Sequence, residues 1–131
     1  MPPSLTAFTI RYMIACSPHG AYAFSGIVWV APQMRLTDAF KDTPCFFGAA
    51  SAVFYVPVVR ELLLFCGVRE VNAATLTRLA GADTPYSVAL IPGGMHEQIS
   101  TRNDDERHYV QKGLGFLRLA LKLGLDVLPM Y

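Results

Sequence analysis

Charge is scarce in this sequence. Lys, Arg, Asp and Glu together make up 16% of its 131 residues, where soluble domains usually carry about 25%. The 11 basic and 10 acidic side chains leave a net charge of +1, so no bulk electrostatic attraction points to nucleic acid. Cysteine is sparse as well. Cys16, Cys45 and Cys66 are odd in number and widely spaced, which matches neither a disulfide framework nor a zinc pattern, and a reducing compartment is the simplest inference.

Long uninterrupted apolar runs are also lacking. The longest stretch without a charge, Tyr12 to Met34, is broken by Ser17-Pro18-His19-Gly20 and again by Gly26. A spanning helix needs about 20 continuous apolar residues, so no transmembrane helix is expected. Met1-Pro2-Pro3 has no basic region ahead of an apolar core, so no signal peptide is expected either. Several catalytic fingerprints are missing. "HEQIS" begins like a zinc-protease helix, but Ser100 stands where the second histidine belongs. No G-x-S-x-G elbow surrounds a serine. No phosphate-binding G-x-x-x-x-G-K-[ST] or dinucleotide-binding G-x-G-x-x-G occurs.

What is present is apolar. Hydrophobic residues reach 53%, enough for one domain with a real core. The surplus over charge points to a greasy cleft, a membrane surface or a missing partner segment. The pattern predicts a strand over Phe8–Ala15, where apolar and other residues alternate, and a helix from Ala21 to about Val30. Pro44–Phe47 reads as a short buried strand. Pro57 suits the first turn of a helix that Gly67 ends. Val68–Asn72 follows as a strand, then a brief helix ended by Gly81, then the buried strand in "PYSVALIPGG". Ser100–His108 is the one dense polar block and reads as a solvated loop. "GFLRLALKLG" is an amphipathic helix with Arg118 and Lys122 on its wet face, and "LDVLPMY" is a last strand. This alternation predicts an α/β fold with a mostly parallel sheet flanked by helices.

Ligands in such sheets bind beyond the carboxyl ends of the strands. Two turns there carry reactive groups: Ser17-Pro18-His19-Gly20 and Pro92-Gly93-Gly94-Met95-His96-Glu97. Pro18 stiffens the first turn, and Gly20 lets backbone come close to a ligand. His19 is the candidate general base, acting on a hydroxyl. Glu97 is a candidate to accept a hydrogen bond from its other ring nitrogen. Backbone N–H groups around Gly93 and Gly94 are candidates to hold an oxyanion or a phosphate. The plainer readings are a simple turn at His19, a tight turn at the two glycines and a solvated helix position for Glu97. No residue set suggests a metal site.

Four blocks in order make the sequence similar to the type 2 diacylglycerol acyltransferase family, with its monoacylglycerol and wax-ester members. They are "SPHG" at Ser17–Gly20, "VFYVPVVRELLLFCGV" at Val53–Val68, "VALIPGGMHEQI" at Val88–Ile99 and "KGLGFLRLALKLGLDVLPMY" at Lys112–Tyr131. The family's first block is His-Pro-His-Gly, and Ser17 takes the place of its first histidine. The resemblance implies a glycerolipid-acyltransferase-like domain over residues 11–131, with 1–10 as an extension, incomplete at both ends. It implies acyl-CoA as a substrate, no resident cofactor, and transfer of a fatty acyl group to a neutral lipid alcohol, with diacylglycerol going to triacylglycerol. It also implies a membrane surface, at the cytosolic face of the endoplasmic reticulum. On that basis His19 and Glu97 are the catalytic pair, Pro18, Gly20, Gly93 and Gly94 line the substrate site, and Arg60, Lys112, Arg118 and Lys122 are candidates for the CoA phosphates. Related glycerolipid acyltransferases carry an aspartate where Phe24 stands here, so Glu97 has to supply the carboxylate. The alternative expectation is a truncated, non-catalytic lipid-binding fragment of the same fold.

Overall fold

A computed structural model describes residues 10–20, 26, 44–102, 104, 105, 109 and 114–131. Five strands are described: β1 (Tyr12–Cys16), β2 (Cys45–Ala49), β3 (Val68–Glu70), β4 (Ser87–Leu90) and β5 (Asp126–Met130). They form one sheet in the order β3-β2-β4-β1-β5. Every pairing is parallel, as the alternation of strands and helices predicts. The helices are α1 (Pro57–Phe65), α2 (Ala73–Leu79), α3 (Gly94–Ser100) and α4 (Gly115–Leu123), and a 3-10 turn over Ser51–Tyr55 precedes α1.

The boundaries have local causes. Pro57 opens α1, where a missing N–H costs nothing, and Gly67 leaves it at φ 78. The Asn72 side chain accepts from the Thr75 amide at 2.8 Å and caps α2. That capping role ends β3 at Glu70, two residues short of the predicted strand. β1 begins later than predicted, at Tyr12, because its ladder with β5 starts at Tyr12 opposite Asp126. Of the predicted strand, residues 8 and 9 lie outside the described residues. So does the helix predicted from Ala21, except for Gly26, which is helical.

Both faces of the central strands are covered, while β5 stays exposed. Met13, Val88, Leu90 and Phe46 meet Leu76 of α2 and Ala120 and Leu123 of α4 on one side. On the other side Ile14, Cys16, Phe47 and Ala89 pack with Phe54 of the 3-10 turn and Leu63 of α1. Adjacent residues Met13 and Ile14 are therefore both buried, as expected of a parallel strand sandwiched between helical layers. β5 is an edge strand and carries Pro129, a residue that such a position tolerates.

Strand order places two turns side by side. β1 and β4 are direct neighbours, with Met13, Ile14 and Ala15 opposite Val88, Ala89 and Leu90. Their carboxyl ends therefore emerge together. The connection after β4 runs through α4 on the first face. After β1, Gly26 lies against the Phe47 ring of the second. The segments after β1 and β4 thus pass to opposite sides of the sheet, the arrangement at which open α/β sheets form a ligand crevice.

Candidate active site

The first side of the crevice is the turn leaving β1. Ser17 stays attached to the sheet, donating its amide to the Met130 carbonyl of β5 at 2.9 Å. Pro18 follows through a cis bond, and His19 comes next, half-buried. His19 Nδ1 lies 2.9 Å from the carbonyl oxygen of Gly20. A carbonyl only accepts, so Nδ1 carries the proton in this contact, and in the neutral ring Nε2 is then the acceptor. That is the tautomer a general base needs. Gly20 itself sits at φ 65, a left-handed conformation that glycine adopts without penalty.

The second side is the turn leaving β4. Gly94 adopts φ 51 and donates its amide to Ile91 at 3.2 Å, closing the turn. That amide is therefore committed to the chain itself. Helix α3 then lifts Glu97 one turn up, with its own amide donating to Gly93 at 3.3 Å. The two glycines serve different needs. A Cβ on Gly94 would meet nothing within 4 Å, so its demand is the backbone angle. A Cβ on Gly93 would stand 2.7 Å from the Glu97 Cβ and would collide with Oε2 of the carboxylate. Gly93 is the space into which Glu97 folds.

Glu97 is 1% exposed, which excludes the solvated helix position as its reading. A buried carboxylate is costly unless hydrogen-bonded. Oε1 accepts from the Ser17 hydroxyl at 3.2 Å and from the Tyr109 amide at 3.4 Å. The ring of Tyr109 stacks on His96 with centroids 5.1 Å apart, and the Thr101 hydroxyl donates to the Glu97 carbonyl at 3.0 Å. Carboxylate and histidine turn are therefore joined, two residues before the atom expected from sequence. Glu97 reaches Ser17, while the Gly20 carbonyl occupies the His19 ring nitrogen expected to face it.

His19, Pro18, Gly20 and Gly93 thus lie on the two turns that strand order brings together, and Gly94 and Glu97 lie in helix α3, which continues the second turn. Arg60 lies elsewhere, exposed on α1 and paired with Glu61 at 2.9 Å. Lys112 lies outside the described residues. Arg118 and Lys122 are exposed on α4, the wet face expected of them. Sequence reasoning missed Ser17 and Tyr109 as Glu97 partners. Ser17 carried a signal, as the departure within "SPHG". Tyr109 carried none, because its contact depends on the chain returning to α3 from the polar block.

Known proteins supply the context for this geometry. The family model for diacylglycerol acyltransferase matches residues 6–131. Diacylglycerol O-acyltransferase 2-like protein 6 of Mus musculus is 30% identical over 123 residues, covering 92% of this chain and 36% of that protein. Acyl-CoA wax alcohol acyltransferase 1 of Homo sapiens is 26% identical, covering 92% and 37%. The human 2-acylglycerol O-acyltransferase 3 is 25% identical, covering 92% and 36%. The chain spans just over a third of the length of these curated relatives. No solved structure matches.

Proposed function

The chain belongs to the diacylglycerol acyltransferase family, and on that premise we propose that it carries the catalytic turns of an acyl-CoA-dependent O-acyltransferase acting on a neutral lipid hydroxyl. Diacylglycerol, converted to triacylglycerol, is the acceptor proposed first. The relatives' names cover diacylglycerol, 2-acylglycerol and wax alcohol chemistry, so the hydroxyl is the shared feature. The reading is carried by one observation: His19, with Nε2 as its acceptor when the ring is neutral, sits on the turn that the buried Glu97 carboxylate holds through Ser17.

The chemistry follows from that pair. Nε2 of His19 takes the proton of the lipid hydroxyl as its oxygen attacks the thioester carbonyl carbon. The tetrahedral intermediate collapses with cleavage of the C–S bond, and the imidazolium returns the proton to the departing CoA sulfur. Gly20 holds the Nδ1 proton through its carbonyl and, having no side chain, leaves the approach to the ring open. The buried charge of Glu97 stabilises the imidazolium while it exists. Gly93 and Gly94 shape the facing wall, and Pro18 keeps the histidine turn stiff. Arg60 and Lys112 are the cations proposed for the CoA phosphates. Glu61 already offsets part of the Arg60 charge.

A membrane surface at the cytosolic face of the endoplasmic reticulum is the proposed setting. No helix among the described residues is long and apolar enough to cross a membrane. Apolar side chains are nonetheless turned outward on α1 and the turn before it. Tyr55 is 83% exposed, Val58 80%, Leu62 61% and Phe65 78%. Val58, Leu62 and Phe65 fall on one helix stripe at i, i+4 and i+7. The same stripe favours a second reading, a lipid-binding chain without turnover.

One assay separates the two. The full chain on phospholipid vesicles is given labelled oleoyl-CoA with diolein, monoolein or hexadecanol. Ester product that falls by roughly 100-fold or more in His19→Ala at unchanged Tm is the expected result. Product that survives His19→Ala overturns the mechanism. Vesicle binding with no ester product establishes the second reading.

A further inference from the structure

Resting on this acyl-transfer reading, we propose that Ser17 is a positioning residue through which the buried carboxylate of Glu97 sets the place and ring state of His19. Ser17 is held from two directions. Its amide is bound to Met130 of the edge strand at 2.9 Å, and its hydroxyl donates to Glu97 Oε1 at 3.2 Å. Sheet and helix α3 are therefore clamped together at this one residue.

Among the described residues, the tether of His19 is local, the contact of Nδ1 with the carbonyl of the next residue. A contact between adjacent residues orients a ring relative to its own turn but does not place the turn. Placement comes from Ser17. Pro18 lies between the two, with a fixed φ and no amide hydrogen, and so passes the position of Ser17 to His19 with little slack. Glu97 in turn already fills the space that the missing Cβ of Gly93 leaves, and its side chain lies against that backbone. Carboxylate, hydroxyl and imidazole thus form a mechanical series rather than a direct dyad.

The test uses the full chain on vesicles, with Ser17→Ala and Ser17→Thr. Three quantities are measured: Tm, acyl-transfer kcat and KM for oleoyl-CoA, and the His19 ring nitrogens by long-range proton–nitrogen NMR. His19→Ala identifies the His19 signals. Ser17→Ala is expected to lower kcat by roughly 10- to 100-fold, the size of a small misplacement. KM should stay within about twofold, since no substrate contact is removed. The single Nδ1–H tautomer signature should give way to averaged nitrogen shifts, and Ser17→Thr, which keeps the hydroxyl, should restore both. Native kcat and tautomer in Ser17→Ala overturn the proposal. Equal impairment of Ala and Thr variants at native Tm overturns it as well. If Ser17→Ala does not fold, Ser17→Cys takes its place, having a weaker donor of similar size; an intermediate loss supports the proposal and native behaviour overturns it. If the parent makes no ester, the acyl-transfer reading fails while the NMR signature still decides the role of Ser17.

Discussion

The two ends of the same sheet both tie up polar groups, and they do so with different partners. At the amino ends of the strands, three described side chains bond to backbone. The Arg11 guanidinium donates to the carbonyls of Ala80 at 3.0 Å, Gly81 at 2.6 Å and Leu123 at 3.0 Å, tying off the carboxyl ends of α2 and α4. The buried Ser87 hydroxyl accepts from the Tyr12 amide at 2.9 Å. The Cys45 thiol donates weakly to the Phe46 carbonyl at 3.6 Å. At the carboxyl ends, side chain meets side chain across two turns, and a titratable ring stands beside them. Burial of a polar group therefore does not mark a site. What marks one is a buried group whose partner is another side chain on a separate turn, because such a contact closes no helix or loop.

That contrast can be broken by mutation. The largest effect on stability belongs to the amino end. Arg11→Met leaves three carbonyls without their charged donor, and a loss of about 3 kcal/mol is expected in urea unfolding, with the turnover of folded molecules unchanged. A loss of turnover per folded molecule would show that the two ends are not independent. Gly93→Ala comes next, on the other side. Its Cβ must displace the Glu97 side chain, so about 2 kcal/mol of overpacking cost is expected together with a fall in kcat.

Cys45 gives a smaller, pH-dependent effect. Burial pushes its thiol from an ordinary 9.0 up to about 12, so the folded chain keeps a proton that the unfolded chain releases. Stability is then intact below pH 9 and is lost as the pH rises from 9 to about 12. One unit above the ordinary value the loss is about 1.4 kcal/mol. Comparing the urea midpoints of the parent and Cys45→Ala at pH 8 and pH 10 isolates it, since only the parent should show this component. Gly94→Ala is expected to be the mildest, about 1 kcal/mol from the left-handed angle alone. If it instead matched Gly93→Ala, the two glycines would not differ in the way their surroundings indicate.

Much of this architecture was legible beforehand. Proline at position 57, glycine at 67 and the apolar runs at Cys45–Ala49 and Ser87–Leu90 acted locally, so their elements emerged close to the expected bounds. The same was true of α4 and β5. Less legible were the ends that depend on a neighbour. β1 starts where β5 begins to pair with it, and β3 stops where Asn72 turns to cap the next helix. The 3-10 turn over Ser51–Tyr55 announced itself through no periodicity, having no buried residue to mark a face.

The sequence by itself determined the α/β class, the two turns that carry the candidate residues and the family, since all of these rest on local periodicity, turn chemistry and ordered blocks. Tertiary structure decided which turns meet and through which atoms. Strand order placed β4 beside β1, and neither turn carries information about its neighbour in the sheet. The three-residue register of that pairing then set Ser17, not His19, within reach of Glu97. A hydrogen bond about 3 Å long between residues 80 positions apart is a property of packing, and no stretch of chain encodes it alone.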